Sequence, residues 1–447
     1  MTRKPLLALA GLATFSLLLS SPAPAGSVTT TAEPAGLAAP TLQTGFEKRD
    51  GKRWTTLPEE RGFLRALDRS SRRVDVSVIG RTATGRPLRL IVVGDPAPPR
   101  RAAIADGSAV LFVCSQHGDE PSGREACLQT ARDLAAARDA ATRRLLQDTT
   151  VLFIPSANPD GTAANTRENA DGVDLNRDHL ELATREGRAM ARVIRDYRPD
   201  IVHDLHEYSP TPEVYDRQLI HLWPRNRNVD TRVYRLSLRL NNGYVDPRLR
   251  REGYTTGIYG IYYGPDGEPI AQSAGDGQER ILRNMVGLRH SMGILVEANS
   301  DPTTRRERAD ESVLNRRRVL TQKLAVGATL DMLVEQRGQI ASATERAPRR
   351  AAAEGSAGDQ PFYFGGADNM LPTPEQVTIE PPCGYRLTAA QYEQVDRTLA
   401  LHGIDVRRAG GGYTVSMAQA AQPVIPLLMD ERGQYEVIRA TPLTNCG

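Results

Sequence analysis

Short apolar runs at intervals along the chain constrain its fold more than any other feature. Ala109–Cys114 and Val151–Ile154 are continuous apolar runs, which are typical of strands buried on both faces. Strands are predicted over 74–79, 88–93, 109–114, 151–154, 200–205 and 293–296, and helices over 59–67, 122–138, 181–196, 313–333 and 388–401. Strands that alternate with helices predict an α/β fold with a mixed, mostly parallel central sheet and helices on both faces.

Composition divides the 447 residues into segments. Residues 26–44 are rich in Ala, Thr, Pro and Gly and are predicted to be a flexible lead-in. Residues 45–337 carry the α/β pattern, and 338–360, dominated by Ala, Arg, Glu and Gly, are predicted to be a linker. Short strands and one helix over 361–447 predict a small α+β C-terminal domain, whose role the sequence does not indicate.

The N-terminus, residues 1–25, has the layout of a secretory signal peptide. Arg3 and Lys4 precede the apolar run Leu6–Leu19, and small residues follow up to Ala25. An uncleaved membrane anchor is the alternative, but this run is shorter than the roughly 20 residues that a membrane span needs. We therefore expect cleavage after Ala25, a secreted or periplasmic protein, and no stable membrane span after cleavage.

The cysteines and the charge balance limit the possible partners. Export allows disulfide bonds to persist, and a bridge between Cys383 and Cys446 would stabilise the C-terminal segment. Cys114 and Cys127 either pair or remain buried thiols. A formal net charge of +3 with 5% aromatic residues gives no support to a nucleic-acid-binding or anionic-membrane surface.

Polar residues follow the predicted buried strands where these strands end, which is where open α/β sheets build their sites. Strand 109–114 leads into His117 and Glu120, strand 200–205 into His206, and strand 293–296 into Glu297. Two imidazoles and one carboxylate leave a fourth zinc position open, which is the layout of a catalytic zinc site. The remaining glutamate can then act as a general base.

A polar segment lies between these strand ends. Asn158-Pro159-Asp160-Gly161 predicts a turn. Asn176 and Arg177 set an amide beside a guanidinium, which suits a substrate carboxylate, although a solvated charged loop is the alternative interpretation. Arg167 is a second cation, suited to a developing oxyanion.

Together these motifs resemble the zinc metallocarboxypeptidases of the carboxypeptidase A type, peptidase family M14. The resemblance runs from about Thr44 to Leu333, and the motifs occur in the order of the family. They are His-x-x-Glu from His117, Asn-Pro-Asp-Gly from Asn158, Gly-Val-Asp-Leu-Asn-Arg from Gly172, the strand-ending His206 and the strand-ending Glu297.

The resemblance implies a metal site and its support. His117, Glu120 and His206 would bind one zinc ion per chain. Asp174 would orient the imidazole of His117, as such carboxylates do in zinc proteins. Residues 45–337 would then be a zinc carboxypeptidase catalytic domain.

The resemblance also implies how substrate would be handled. Arg167 would polarise the scissile carbonyl, and Asn176 with Arg177 would grip the terminal carboxylate of the peptide. Glu297 would activate water and later protonate the leaving amine. The protein would then be a secreted zinc exopeptidase acting on peptides, with cell-wall peptides among the candidates.

Two other functions stay open. One is an amidohydrolase of the succinylglutamate desuccinylase/aspartoacylase type, against which the signal peptide argues, since those relatives act mainly in the cytosol. The other is a non-catalytic metal- or carbohydrate-binding protein, which would need neither Glu297 nor Arg167.

Two groups of residues carry no predicted role in the site. The substrate-contacting tyrosine of the digestive enzymes has several possible matches here. The residue that sets side-chain preference in those enzymes falls in the same poorly aligned stretch, 254–290, so no side-chain preference is predicted. These tyrosines are Tyr254, Tyr259, Tyr262 and Tyr263. The remaining histidines lack partners at ligand spacing and are predicted to be structural: His179, His203, His221, His290 and His402.

Overall fold

A computed structural model describes residues 42–210, 216–259, 261–263, 269–271 and 277–446. The predicted signal peptide, its cleavage site after Ala25 and the lead-in up to residue 41 lie outside the described residues. Thr44, the last lead-in residue, is buried and caps the first helix. From Leu42 onward the chain forms one unit by its contacts. No helix in the described ranges combines the length and the hydropathy that a bilayer span requires.

The strands of the main sheet have the following bounds: β1 Val74–Arg81, β2 Pro87–Val93, β3 Ala109–Cys114, β4 Thr150–Ile154, β5 Ile201–Tyr208, β6 Leu219–Leu222, β7 Thr256–Ile258 and β10 Met292–Asn299. A separate hairpin pairs β8 Ile261–Tyr263 with β9 Pro269–Ala271. The C-terminal strands are β11 Phe362–Tyr363, β12 Val377–Thr378, β13 Gly384–Leu387, β14 Arg407–Ala409, β15 Gly412–Ser416 and β16 Thr441–Leu443.

The main sheet has the order β1-β2-β4-β3-β5-β10-β6-β7. Its central strands β4, β3, β5 and β10 run parallel, whereas β1 and β2 are antiparallel additions at one edge and β6 is antiparallel to β10. The prediction of a mixed, mostly parallel central sheet is confirmed. The strand ends that carry the predicted site therefore come to one edge of the sheet.

The helices have the following bounds: α1 Gly45–Lys48, α2 Leu57–Ser70, α3 Arg101–Ala105, α4 Pro121–Ala136, α5 Ala140–Asp148, α6 Pro159–Ala164, α7 Arg185–Tyr197, α8 Thr231–Leu240, α9 Asp246–Arg251, α10 Leu282–Leu288, α11 Arg305–Ala309, α12 Glu311–Ala357, α13 Ala389–His402 and α14 Ile425–Met429. Their starts follow ordinary capping chemistry. In α2, for example, Thr56 and Glu59 form a capping box and Pro58 occupies the first turn.

Both faces of the sheet are covered by helices. Alternate residues of β3 point to opposite faces, so Val110 and Phe112 join one hydrophobic core while Leu111 and Val113 join another. The first core takes in residues of α4, α8 and α12, and the second takes in residues of α7 and α10. This two-sided burial explains why β3 is a continuous apolar run.

The prediction of a linker over 338–360 is wrong for most of this range, because α12 continues through it to Ala357. The composition of this segment suggests a spacer, but its Ala, Glu and Arg residues are also strong helix formers. Buried residues recur every three or four positions at Ile340, Ala343, Ala347 and Ala351, so one face packs inward. That packing outweighs the backbone hydrogen bond that Pro348 removes.

The C-terminal segment contains the predicted strands and helix, in a sheet of order β14-β15-β13-β16 with α13. It packs against the main sheet region through polar contacts as well as its hydrophobic core. The Trp223 Nε1–H donates to Asp368 at 2.7 Å, and the Thr398 hydroxyl donates to the Glu181 carbonyl at 3.1 Å. Whether 361–447 is a domain in its own right stays a prediction.

Both possible disulfides are present. Cys383 is bonded to Cys446, as expected. Cys114 at the end of β3 is bonded to Cys127 in α4, which settles the pairing that the sequence left open.

Candidate metal centre and active site

Three parallel strands deliver the predicted ligands to one place. His117 and Glu120 lie in the turn between β3 and α4, and His206 lies on β5, which is next to β3. Glu297 on β10 pairs in register with His206. Because the ends of neighbouring parallel strands coincide, residues far apart in sequence meet here, as the sequence predicts.

The ligand atoms converge closely. The Nδ1 atoms of His117 and His206 lie 2.7 and 2.8 Å from the two carboxylate oxygens of Glu120, and 3.1 Å from each other. All three residues are buried, and they form the one group in the described ranges whose ligand atoms fit a common metal ion. Two imidazole nitrogens and one carboxylate oxygen are the donor set that catalytic zinc prefers, so these residues fit zinc.

The outer nitrogen of each imidazole is held by a carboxylate. His117 Nε2 lies 3.0 Å from Asp174 Oδ1, as the resemblance implies. His206 Nε2 lies 2.9 Å from Asp204 Oδ2. Such contacts fix the ring orientation and leave each Nδ1 facing Glu120, where the three residues would hold a metal ion.

The electrostatics of the trio are strongly coupled. Burial opposes the charged imidazolium, but Glu120 and Asp174 still raise the pKa of His117, and Asp204 and Glu120 raise that of His206 well above its ordinary value. Burial likewise opposes ionisation of Glu120, yet the two histidines hold the pKa of its carboxyl well below the usual range. The site therefore has more carboxylate than it needs for its own histidines, which suits a bound cation.

Asp204 is the functional residue that the sequence analysis missed, and it anchors a buried network. Its other oxygen accepts from Gln116 Nε2 at 2.7 Å, and Gln116 Oε1 lies 2.7 Å from His179 Nε2. A signal was available, because residues two apart on a strand share a face, and Asp204 precedes His206 by two.

Arg167 lies at the rim of the centre. Its guanidinium donates to Asp174 Oδ2 at 2.9 and 3.1 Å, and its Nη1 lies 3.1 Å from His117 Nδ1 and 3.7 Å from Glu120. The side chain is 41% exposed, so the cation also faces the cavity. Its action on a scissile carbonyl stays a prediction.

Asn176 and Arg177 are both present at the site but have different partners. The Asn176 amide lies 3.0 Å from His206 Nε2 and 3.3 Å from Asp204, and its side-chain oxygen accepts from the Leu282 backbone at 2.9 Å. Arg177 donates to the Asn176 carbonyl at 2.9 Å and lies 4.0 Å from Asp174. Asn176 therefore braces the metal ligands, and its contact with a substrate carboxylate stays a prediction.

A cavity of about 330 Å³ opens over the centre. Glu297 lines it, and burial raises the pKa of this carboxyl to about 8 despite the neighbouring His206. Tyr259 and Arg283 also line the cavity, and burial raises the pKa of Tyr259 to about 12. Nothing in the sequence around Tyr259 or Arg283 marks either residue as part of the site.

Tyr254 and four of the remaining histidines lie away from the centre. Tyr254 packs against the hydrophobic core, and the side chains of Tyr262 and Tyr263 lie outside the described residues. Four histidines make contacts away from the centre: His203 with Thr329 at 2.9 Å, His290 with the Ala420 carbonyl at 2.7 Å, His402 with the Leu180 carbonyl at 2.8 Å, and His221 with Asp246 at 3.7 Å.

Comparison with known proteins gives consistent matches. The zinc carboxypeptidase family model matches residues 61–211, a span that contains the three predicted ligands but ends before Glu297. Carboxypeptidase 2 of Trichophyton rubrum is 26% identical over 328 residues, which cover 71% of this chain and 59% of that protein. Carboxypeptidase SOL1 of Arabidopsis thaliana is 33% identical over 132 residues, which cover 27% of this chain and 26% of that protein.

The match in length is partial. The chain spans about three fifths of the length of the curated relatives that it matches over most of its own sequence. Among solved structures, a metallo-carboxypeptidase from Pseudomonas aeruginosa aligns with a TM-score of 0.48 at 20% identity, over 63% of this chain and 69% of that one.

Proposed function

We propose that the chain is a member of the zinc carboxypeptidase family and that it is a secreted zinc metallocarboxypeptidase that hydrolyses C-terminal peptide bonds. The position of Glu297 carries this proposal. It pairs in register with His206 and lines the same cavity as His117 and Glu120. A structural zinc site would surround the metal with four protein ligands, whereas three ligands beside a carboxylate suit hydrolysis.

Proton transfer falls to Glu297. Zinc held by the three ligands would supply a Lewis acid that polarises the carbonyl and makes water more acidic. Glu297 accepts the proton of the attacking water and delivers it to the leaving amine. With its pKa raised to about 8 by burial, and lowered again by any bound cation, this carboxyl can accept and release a proton near neutral pH.

Cations on the cavity wall handle the charge of the substrate. Arg167, beside the ligand trio, stabilises the oxyanion that develops on the scissile carbonyl. Arg177 pairs with the terminal carboxylate of the peptide, and Asn176 holds both Arg177 and His206 in place. Such a carboxylate exists only at a chain end, so this pairing favours removal of terminal residues.

Secretion is the second part of the proposal. The N-terminal pattern supports it, and so do two disulfides, which persist in oxidising compartments. When the full chain is expressed in a secreting host, we expect protein in the medium that begins at Gly26. Recovery only inside cells, with the N-terminal segment intact, would contradict secretion.

The activity test compares substrate classes. Purified protein is incubated with peptides, with blocked dipeptides and with N-acyl amino acids, with and without a metal chelator, and products are identified by mass. We expect loss of single C-terminal residues from peptides, stopped by the chelator and restored by zinc. Cleavage of N-acyl amino acids alone would instead indicate an amidohydrolase, and turnover unaffected by chelation would refute the metal mechanism.

A further inference from the structure

A second cavity, of about 380 Å³, lies where β1, α7 and α13 meet. Its lining consists of two small residues, Gly80 and Ala189, and five arginines. We call it the arginine pocket, and its arginines are Arg81, Arg185, Arg188, Arg192 and Arg397. None of these residues takes part in the site described above.

The arginine pocket is assembled by the fold. Arg185, Arg188 and Arg192 follow one another at three- and four-residue spacing along α7, so they share a helix face. Arg81 is the last residue of β1, and Arg397 comes from α13 in the C-terminal segment. A net charge of +3 over the whole chain conceals this local concentration of cations.

These arginines have no carboxylate partner within the described part of the chain. Three of them donate to backbone carbonyl oxygens only: Arg81 to Gly85 at 3.0 Å, Arg188 to Leu182 at 2.9 Å and Ala183 at 2.5 Å, and Arg192 to Ile79 at 3.2 Å. Each guanidinium has five N–H donors, so one carbonyl contact leaves most of them for another acceptor.

The acidic groups close to Arg188 are engaged elsewhere. Asp178 accepts from the Ala183 and Thr184 backbones at 2.7 and 2.9 Å, and the buried Glu186 accepts from the Asn169 amide at 3.4 Å. Burial lowers the pKa of Arg188, and the charges of Arg397 and Arg185 lower it further, while Asp178 and Glu186 act in the opposite direction. An anion in the pocket would relieve this repulsion.

We propose that the arginine pocket binds a polyvalent, phosphate-bearing anion. Guanidinium groups match phosphate oxygens in paired hydrogen bonds, and several of them around one cavity call for several negative charges, which a single carboxylate does not provide. Among the described residues, no aromatic side chain lines the pocket to stack on a base. The phosphate can come from a soluble polyphosphate or from a lipid headgroup, and the two sources are distinguishable.

The test uses inorganic tripolyphosphate and a double variant, Arg185→Gln with Arg397→Gln. Both side chains are exposed and make no side-chain hydrogen bond within the described residues, so the variant should fold. The matched control, Arg305→Gln with Arg306→Gln, removes the same charge from the exposed face of α11. Thermal unfolding checks that all three proteins are folded, and calorimetry measures binding.

We expect wild-type protein and the control to bind tripolyphosphate alike. The double variant should bind about 100-fold more weakly, because each of the two substitutions removes a charge-assisted hydrogen bond worth about tenfold in affinity. Any exchange of metal with the anion is common to all three proteins, so the difference between them reports the pocket. Equal affinity of the double variant and wild type would overturn the proposal, as would an equal loss in the control.

A sedimentation assay identifies the source of the phosphate. Wild-type protein is mixed with phosphatidylglycerol or phosphatidylcholine vesicles, with and without tripolyphosphate as competitor. Sedimentation with phosphatidylglycerol alone that the competitor and the double variant both abolish would assign a headgroup. Binding of free tripolyphosphate without sedimentation would assign a soluble anion, and wild-type protein that binds neither would refute the site.

Discussion

The metal centre and the arginine pocket arrange charge in opposite ways. At the metal centre each histidine ring lies between two carboxylates, with Glu120 on the inner side and Asp174 or Asp204 on the outer side. In the arginine pocket, cations gather without carboxylate partners among the described residues. An excess of carboxylate suits a cation, and an excess of guanidinium suits an anion, so each region indicates the sign of its ligand.

The two regions also differ in rigidity. The metal ligands are buried at the ends of packed strands, whereas Arg81, Arg185 and Arg397 are exposed. Long exposed side chains adapt to a substitution, and buried hydrogen-bonded groups do not. Changes at the metal centre should therefore have the larger effects.

The largest effect is expected from Glu297→Gln. The substitution keeps the shape of the side chain but removes the proton acceptor, so kcat should fall by about 10²- to 10⁴-fold while bound zinc stays unchanged. Steady-state kinetics and metal analysis measure the two quantities. Glu252→Gln, at an exposed glutamate, serves as control and should behave as wild type. Unchanged turnover in Glu297→Gln would rule out this residue as the base.

The next effect is expected from Asp204→Asn. Without the carboxylate, His206 loses its partner at 2.9 Å, and zinc affinity should fall by about 10- to 100-fold. Competition with a chelator measures the affinity. Activity should recover in excess zinc, because Asp204 positions a ligand and does not touch substrate. Asp106→Asn, at an exposed carboxylate paired with Arg198, should leave affinity unchanged, and an equal loss there would refute the positioning role.

The metal centre could be predicted because the strand topology alone brings its residues together. Once strands 109–114, 200–205 and 293–296 are placed in one parallel sheet, their ends coincide, and His117, Glu120, His206 and Glu297 must meet. Asp204 could have been predicted in the same way, but it lies within the strand, two residues before His206, and the prediction used only residues at strand ends. The alternation of side chains along β5 places it on the face of His206.

The arginine pocket and the length of α12 could not be predicted in this way. Packing between distant elements brings Arg81 and Arg397 to the face of α7 that carries Arg188, and no local pattern marks Arg81 or Arg397. An Ala- and Arg-rich segment resembles a spacer until a partner surface buries one of its faces, as happens at Ile340 and Ala347. Composition reports propensity, and tertiary packing decides the outcome.

A third, smaller effect concerns pH at the metal centre. Zinc binds unprotonated Nδ1 atoms, and in the metal-free protein the pKa of His117 is raised and that of His206 lies well above its ordinary value. Below those pKa values zinc must displace a proton from each ring, so apparent affinity should fall as pH falls, by about tenfold per pH unit for each proton displaced. Calorimetry in buffers of different ionisation enthalpy counts the protons released. Affinity that does not change between about pH 6 and about pH 8 would contradict the coupling.

The smallest effect concerns stability: removing a charge should change the free energy of unfolding in opposite directions at the metal centre and in the arginine pocket. Removing a charge at the metal centre, as in Asp204→Asn, should lower the free energy of unfolding, since His206 no longer has its buried partner. Arg185→Gln with Arg397→Gln should instead raise it, by about 0.5 kcal/mol at low ionic strength, because like charges no longer repel. Glutamine and arginine have similar helix propensities, so the helices themselves contribute little to the difference. Urea unfolding measures the change, and it should vanish at about 1 M salt, where the screening length is about 3 Å. If the double variant is less stable than wild type at low salt, these arginines make net attractive interactions. That result would contradict the proposed difference in charge arrangement between the two regions.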